Sequence, residues 1–138
     1  MKNASAVLLA ALALVGCAEV PARAPSGGFQ VDTSWPKPLP NNWILGQVAG
    51  IAVDARDHVW IIQRPRTLVD EEKGATSNPP RAKCCVPAPA VIEFDPEGNV
   101  VRAWGGPGSG YEWPANEHGI YVDHQGNVWI GEIGRAHV

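Results

Sequence analysis

His118 stands directly ahead of the apolar stretch Gly119-Ile120-Tyr121-Val122-Asp123. At a constant offset of 69 positions, Gly50-Ile51-Ala52-Val53-Asp54 repeats that stretch with Ala49 in place of the histidine. A residue needed by the strand itself should recur, so the repeat does not explain His118. A neutral imidazole suits zinc or another divalent metal, and it equally suits a hydrogen bond to a neighbouring loop. The sequence leaves both readings of His118 open. His58 and His124 fall among small polar residues in turns and read as solvated turn residues.

The other chemically capable side chains are three cysteines. Cys84 and Cys85 are adjacent, and in an oxidising compartment such a pair closes as a vicinal disulfide, stays as two thiols, or takes part in chemistry. Metal-ligand spacing is absent, because no other cysteine is available and the nearest histidine is far along the chain. Cys17 follows a weakly positive start, Met1-Lys2-Asn3, and an apolar run from Ala6 to Val15. That run is too short to span a bilayer and reads as an export signal. Leu14-Val15-Gly16-Cys17 resembles the bacterial lipoprotein box, which implies lipidation of Cys17 and a membrane-anchored, periplasmic or extracellular protein in a bacterial cell envelope. Residues 18–28 are rich in Pro, Ala, Gly and Ser and read as a flexible tether, so the folded part is expected from about residue 29 to 132.

The elements that must position these groups are hairpins. Gly50–Asp54 and Val59–Ile61 form one pair of strands, and Gly119–Asp123 with Val128–Ile130 form its copy. The intervening turns carry Asp, Gly, Asn and His, residues suited to tight reversal. Asp54 and Asp123 are placed to accept from turn amides, and Trp60 and Trp129 to pack between units. Between the copies, Ala90-Val91-Ile92-Glu93-Phe94 runs into the turn 95–99 and out through Val100–Trp104, completing four antiparallel strands. Residues 64–89 are polar, Pro-rich and aperiodic, and read as a loop inserted between the second and third strands. Without that loop the repeat period is about 43 residues, the length of a four-stranded propeller blade. Phe29–Thr33 reads as a further, outer strand. Trp35, Trp43 and Trp113, with Tyr111 and Pro114, fit either a channel mouth or a covered sheet edge.

The order of these motifs, from Gly-Ile-x-Val-Asp through Asn-Val-Trp-Ile and Val-Ile-Glu-Phe-Asp-Pro-Glu-Gly-Asn to Ala-Trp-Gly-Gly-Pro-Gly, resembles the NHL repeat across residues 51–108 and again from Gly119. The resemblance implies an all-β chain, a β-propeller of four-stranded antiparallel blades, present as about one and a half blades. It is similar to bacterial secreted proteins related to the peptidyl-α-hydroxyglycine α-amidating lyase, and the senescence-marker-protein-like lactonases share the wider fold. That likeness carries one metal-binding histidine onto His118 and expects an arginine where this sequence has Gln47. Residues 133–138 fit no strand pattern and their letters resemble a translated sequencing adapter, so the chain is expected to be the N-terminal part of a longer protein.

Composition narrows the function classes. Hydrophobic residues make up 45% of the 138 and charged residues 18%, the balance of a globular domain. The net charge of -3, with no run of Lys or Arg, excludes nucleic acid as an expected partner. The loop from Gly105 to Gly110 enters no helix and lacks the phosphate-binding pattern. Two functions remain: an anchored propeller that binds a small molecule, peptide or protein without chemistry, and a metal-dependent lyase or hydrolase with His118 as one ligand.

Overall fold

The computed structural model describes residues 28–134. The expected signal segment with Cys17, the expected tether up to residue 27, and residues 135–138 lie outside the described residues. Residues 28–31 belong to a separate unit, have no regular structure and leave Phe29 exposed, so the strand expected at Phe29–Thr33 does not form. All strands among the described residues lie in the unit that starts at Asp32: β1 (Trp43–Ile44), β2 (Gln47–Val53), β3 (Val59–Arg64), β4 (Val86–Pro87), β5 (Val91–Phe94), β6 (Val100–Trp104), β7 (Glu117–Val122) and β8 (Val128–Glu132). The protein is all-β, with no α-helix among the described residues.

Strands β2, β3, β5 and β6 form one four-stranded antiparallel sheet in that order, as the sequence pattern predicts. β7 and β8 form a separate hairpin whose register repeats that of β2 and β3: Ile51 faces Ile61 as Ile120 faces Ile130, and Ala52 faces Trp60 as Tyr121 faces Trp129. The turns repeat too. Asp54, Asp95 and Asp123 each bond through the main-chain N–H to the carbonyl four residues on, at 3.0 Å. Each also accepts turn amides on its carboxylate, the Asx geometry that makes aspartate a turn residue. The left-handed positions correspond as well, Asp57 at φ 61° and Gly126 at φ 84°.

The central strands β3 and β5 are buried on both faces. On the front, Trp60, Ile62 and Val91 pack with Ala49 and Ala52 against Ile120, Val122, Val128 and Ile130 of the β7–β8 hairpin. On the back, Ile61, Ile92, Phe94 and Ala88 lie beneath Trp35, Leu39, Trp43 and Leu45. Each such aliphatic or aromatic side chain contributes roughly 1.5–3 kcal/mol when fully buried. Trp35 and Trp43 therefore cover a sheet, and Trp35 meets Phe94 with ring centroids 5.5 Å apart.

The 64–89 loop has internal order that the sequence did not announce. It holds two short 3-10 turns, Pro65–Thr67 and Gly74–Thr76, the disulfide Cys84–Cys85, and β4, which pairs in parallel with β1. Gln63, fully buried, clasps it: the side-chain amide donates to the carbonyls of Ala88 (2.8 Å) and Pro89 (3.0 Å) and accepts from Gly46 N–H (2.8 Å). Replacing Gln63 by Leu would remove the partner of three backbone groups, the buried Ala88 carbonyl and the half-buried Pro89 carbonyl and Gly46 N–H. We expect a loss of about 1–3 kcal/mol, read by urea unfolding, and faster exchange of the Gly46 amide.

Candidate functional site

Strand ends position the candidate site. In the ladder of β7 with β8 the register steps from Glu117 to Gly119, so His118 is the extra residue of a β-bulge. The same step between Val48 and Gly50 leaves Ala49 as its counterpart in β2. His118 thus lies inside β7 rather than ahead of it. A bulge turns an unpaired residue away from the regular alternation, and here the repeat puts an inert alanine at one bulge and an imidazole at the other.

Arginines from the end of β3 and the loop beyond it surround that bulge. Arg64 donates from Nε to the Glu117 carbonyl at 2.7 Å, and its Nη2 lies 3.4 Å from His118 Nδ1. Arg66 donates to Asn116 Oδ1 at 2.7 Å, with its Nε 3.8 Å from Glu117 Oε2. The Glu117 carboxylate is buried, accepts from Trp113 Nε1 at 2.7 Å through Oε1, and has no hydrogen bond at Oε2. Thr67 fixes the corner by donating to Arg64 O (2.8 Å) and accepting from Gln47 N–H (2.9 Å). When Arg64 donates to Nδ1, the ring proton sits on Nε2, and the His118 edge away from Arg64 is a donor. With Arg66 turned to Asn116 and Glu117, the Arg64 guanidinium and an N–H donor gather at one strand end. Such a set suits an anionic or strongly accepting group.

A second cluster lies at the hairpin turn. Asp54, His58 and Glu93 place one ligand atom each within 4.8 Å of one another, close enough to hold a metal. Their oxygens are already engaged. Glu93 Oε1 accepts from Arg56 Nη2 at 2.8 Å and meets His58 Nδ1 at 2.7 Å, while Oε2 takes Arg102. Asp54 accepts the amides of Arg56 and His58 on Oδ1, and Arg56 Nη2 and Trp60 Nε1 on Oδ2. Burial works against both charges, yet these donors outweigh it. Arg56, Trp60 and His58 hold the Asp54 carboxyl well below the usual range, and Arg102 and His58, then the charge of Arg56, hold Glu93 below its ordinary value. Two guanidiniums balance two carboxylates, so the cluster is a satisfied charge network.

His58 is accordingly not the solvated turn residue that its position suggests, whereas His124 is exposed as expected. Asp123 behaves as Asp54 does: the side chains of Asn127 and Trp129, with turn amides, hold its carboxyl well below the usual range. Trp113 is a partner of Glu117. Ile133, assigned by sequence to a tail, still bonds the carbonyl of Asn116 at 3.2 Å. Sequence reasoning missed Arg64, Arg66 and Glu117; the only signal was that Arg64 ends β3, Glu117 begins β7 and Arg66 lies in the turn just beyond β3. No protein-family model and no curated protein matches this chain.

Proposed function

We propose that this chain is part of an extracytoplasmic NHL-type β-propeller, lipid-anchored through Cys17, that works as a binding module. Its ligand presents an anionic or hydrogen-bond-accepting group to Arg64 and His118. The supporting observation is the bulge that sets His118 beside Arg64 where the first repeat has only Ala49. The four-stranded sheet and the hairpin stacked on it, identical in register, support the propeller reading.

One observation favours a second reading, a metal-dependent lyase or hydrolase with zinc at His118. Gln47, where the family resemblance expects an arginine, pairs across the ladder with Arg64, so the strand opposite brings an arginine to the histidine. The chemistry of the ring separates the two readings. Metal at Nε2 requires the proton on Nδ1, which then faces the Arg64 guanidinium, and Arg64 must swing away.

The test compares wild type with Arg64→Ala and His118→Ala, measuring zinc after dialysis and binding of inorganic phosphate as a probe anion. The binding reading expects zinc content unchanged by His118→Ala and phosphate affinity reduced about tenfold by Arg64→Ala, as loss of a charge-assisted contact would give. Zinc bound by wild type and lost in His118→Ala would put the metal reading ahead. Equal phosphate affinity in all three proteins would remove the anion site. Detergent-phase partitioning that Cys17→Ser does not abolish would remove the anchor.

A further inference from the structure

Next to the His118 bulge lies a cavity of about 410 Å³ whose walls are connecting segments rather than sheet faces. Pro65 and Arg66 come from the turn after β3, and Pro107, Trp113 and Pro114 from the connection between β6 and β7. Glu117, the first residue of β7, completes the lining and is its one carboxylate.

The walls are fixed from within. Trp113 donates to Glu117 Oε1 at 2.7 Å, meets Trp104 and Tyr111 edge-on at centroid distances of 6.3 and 6.5 Å, and packs so closely on Gly105 that a Cβ there would come within 2.5 Å of its ring. Tyr111 in turn donates to Gly106 O at 2.7 Å and ties down the glycine-rich loop. The prolines stiffen the lining further, because their φ is already set. An apolar, preformed pocket with a single placed polar group is the usual form of a small-ligand site.

That polar group is unfinished. Glu117 Oε2 is buried and accepts no hydrogen bond among the described residues, and the side chain is only 4% exposed. Arg66 balances the charge without making the bond: its Nε stays 3.8 Å away, and its Nη2 is committed to Asn116 Oδ1 at 2.7 Å. A buried carboxylate oxygen without a donor is costly. Arg66 is about half exposed and can turn to water. A group that enters from the cavity with an N–H of its own then completes the carboxylate.

We propose that this cavity is a binding subsite for an organic ammonium group, a primary amine on an apolar stem such as an alkylamine or a lysine side chain. The ammonium donates to Glu117 Oε2 in place of Arg66. Its stem lies among Pro65, Pro107, Pro114 and the Trp113 ring, which adds a cation–π attraction. The subsite is independent of the anion proposed for Arg64 and His118, and either stands if the other fails.

Titration of the 138-residue chain, carrying Cys17→Ser, with butylammonium chloride tests it, read by the indole N–H resonance of Trp113, which is assigned by its loss in Trp113→Phe. The expected result is a saturable shift, with affinity about tenfold weaker in Glu117→Gln and about tenfold tighter in Arg66→Ala, which removes the competing cation. Glu117→Gln keeps an acceptor for Trp113 Nε1; should it unfold, Arg66→Ala reads the same carboxylate in the opposite direction. Tetramethylammonium, a cation with no N–H, should bind at least about tenfold more weakly than butylammonium. A wild type with no saturable shift, a folded Glu117→Gln that binds as wild type does, an Arg66→Ala variant that binds no tighter, or equal affinity for the two cations would each overturn the proposal.

Discussion

Trp60→Ala should lower the unfolding free energy by about 3–5 kcal/mol, while Trp129→Ala, the same change one repeat later, should cost less than about 1 kcal/mol. Both indoles donate Nε1–H to the aspartate six residues earlier, at 3.1 Å to Asp54 and 3.0 Å to Asp123. Each variant loses that hydrogen bond, part-buried at Trp60 and exposed at Trp129. Burial is what differs. Trp60 is 1% exposed, wedged between the sheet and the β7–β8 hairpin, with the Arg102 guanidinium 5.0 Å above its ring. That cation–π contact adds about 0.5–1 kcal/mol. Trp129 lies on the open side of the hairpin and gives up little apolar contact when truncated. Urea unfolding reads both. Equal losses would show that the two repeats are packed alike and that the open face of β7–β8 is covered in solution.

The contrast between these two tryptophans marks how far the sequence could be read. Alternation and turn chemistry identified every strand of the four-stranded sheet and of the β7–β8 hairpin, because both signals are local and the repeat states them twice. They said nothing of which copy would be covered, since burial is decided by what packs from elsewhere. The bulges at Ala49 and His118 were invisible for a related reason: one extra residue at a strand end leaves the alternation beyond it intact. β4 in the 64–89 loop and its partner β1 ahead of β2 are two residues each and pair across some forty positions, too short for any periodicity to betray them. The disulfide at Cys84–Cys85 was legible because adjacency needs no fold to bring the sulfurs together. Glu93 did leave a trace, a lone carboxylate in the run Val91-Ile92-Glu93-Phe94, and a charge in so apolar a strand demands partners. Its partners were not readable, because Arg56, His58 and Arg102 reach it from a turn and a neighbouring strand.

Arg102→Met should cost about 2–3 kcal/mol at neutral pH, less than the 3–5 kcal/mol of a fully isolated buried charge, because Arg56 and His58 still pair Glu93. The Glu93 side chain is completely buried while Arg56 and Arg102 are more than half exposed, so water can solvate the arginines but not the carboxylate. Removing an arginine is thus the damaging change, and Glu93→Gln, which leaves a neutral group with partners still in reach, the milder one. The pH dependence follows from the same network. Glu93 has a folded pKa below its ordinary value of 4.5, so its contribution is complete above that value and is lost as the pH falls through the lower, folded value. In that window the unfolded chain binds more protons than the folded one, and acid destabilises. Asp54 and Asp123, also held low by their donors, act in the same direction. Urea midpoints followed downward from neutral pH should fall below about pH 4.5 in wild type, and less steeply in Glu93→Gln, which has lost one of the linked groups. In Arg102→Met the folded carboxyl titrates closer to its unfolded value, so its share of the acid loss shrinks. An acid limb of unchanged steepness in both variants would show that Glu93 is not held as a charge by these arginines, and the hairpin turn would then need another source for its order.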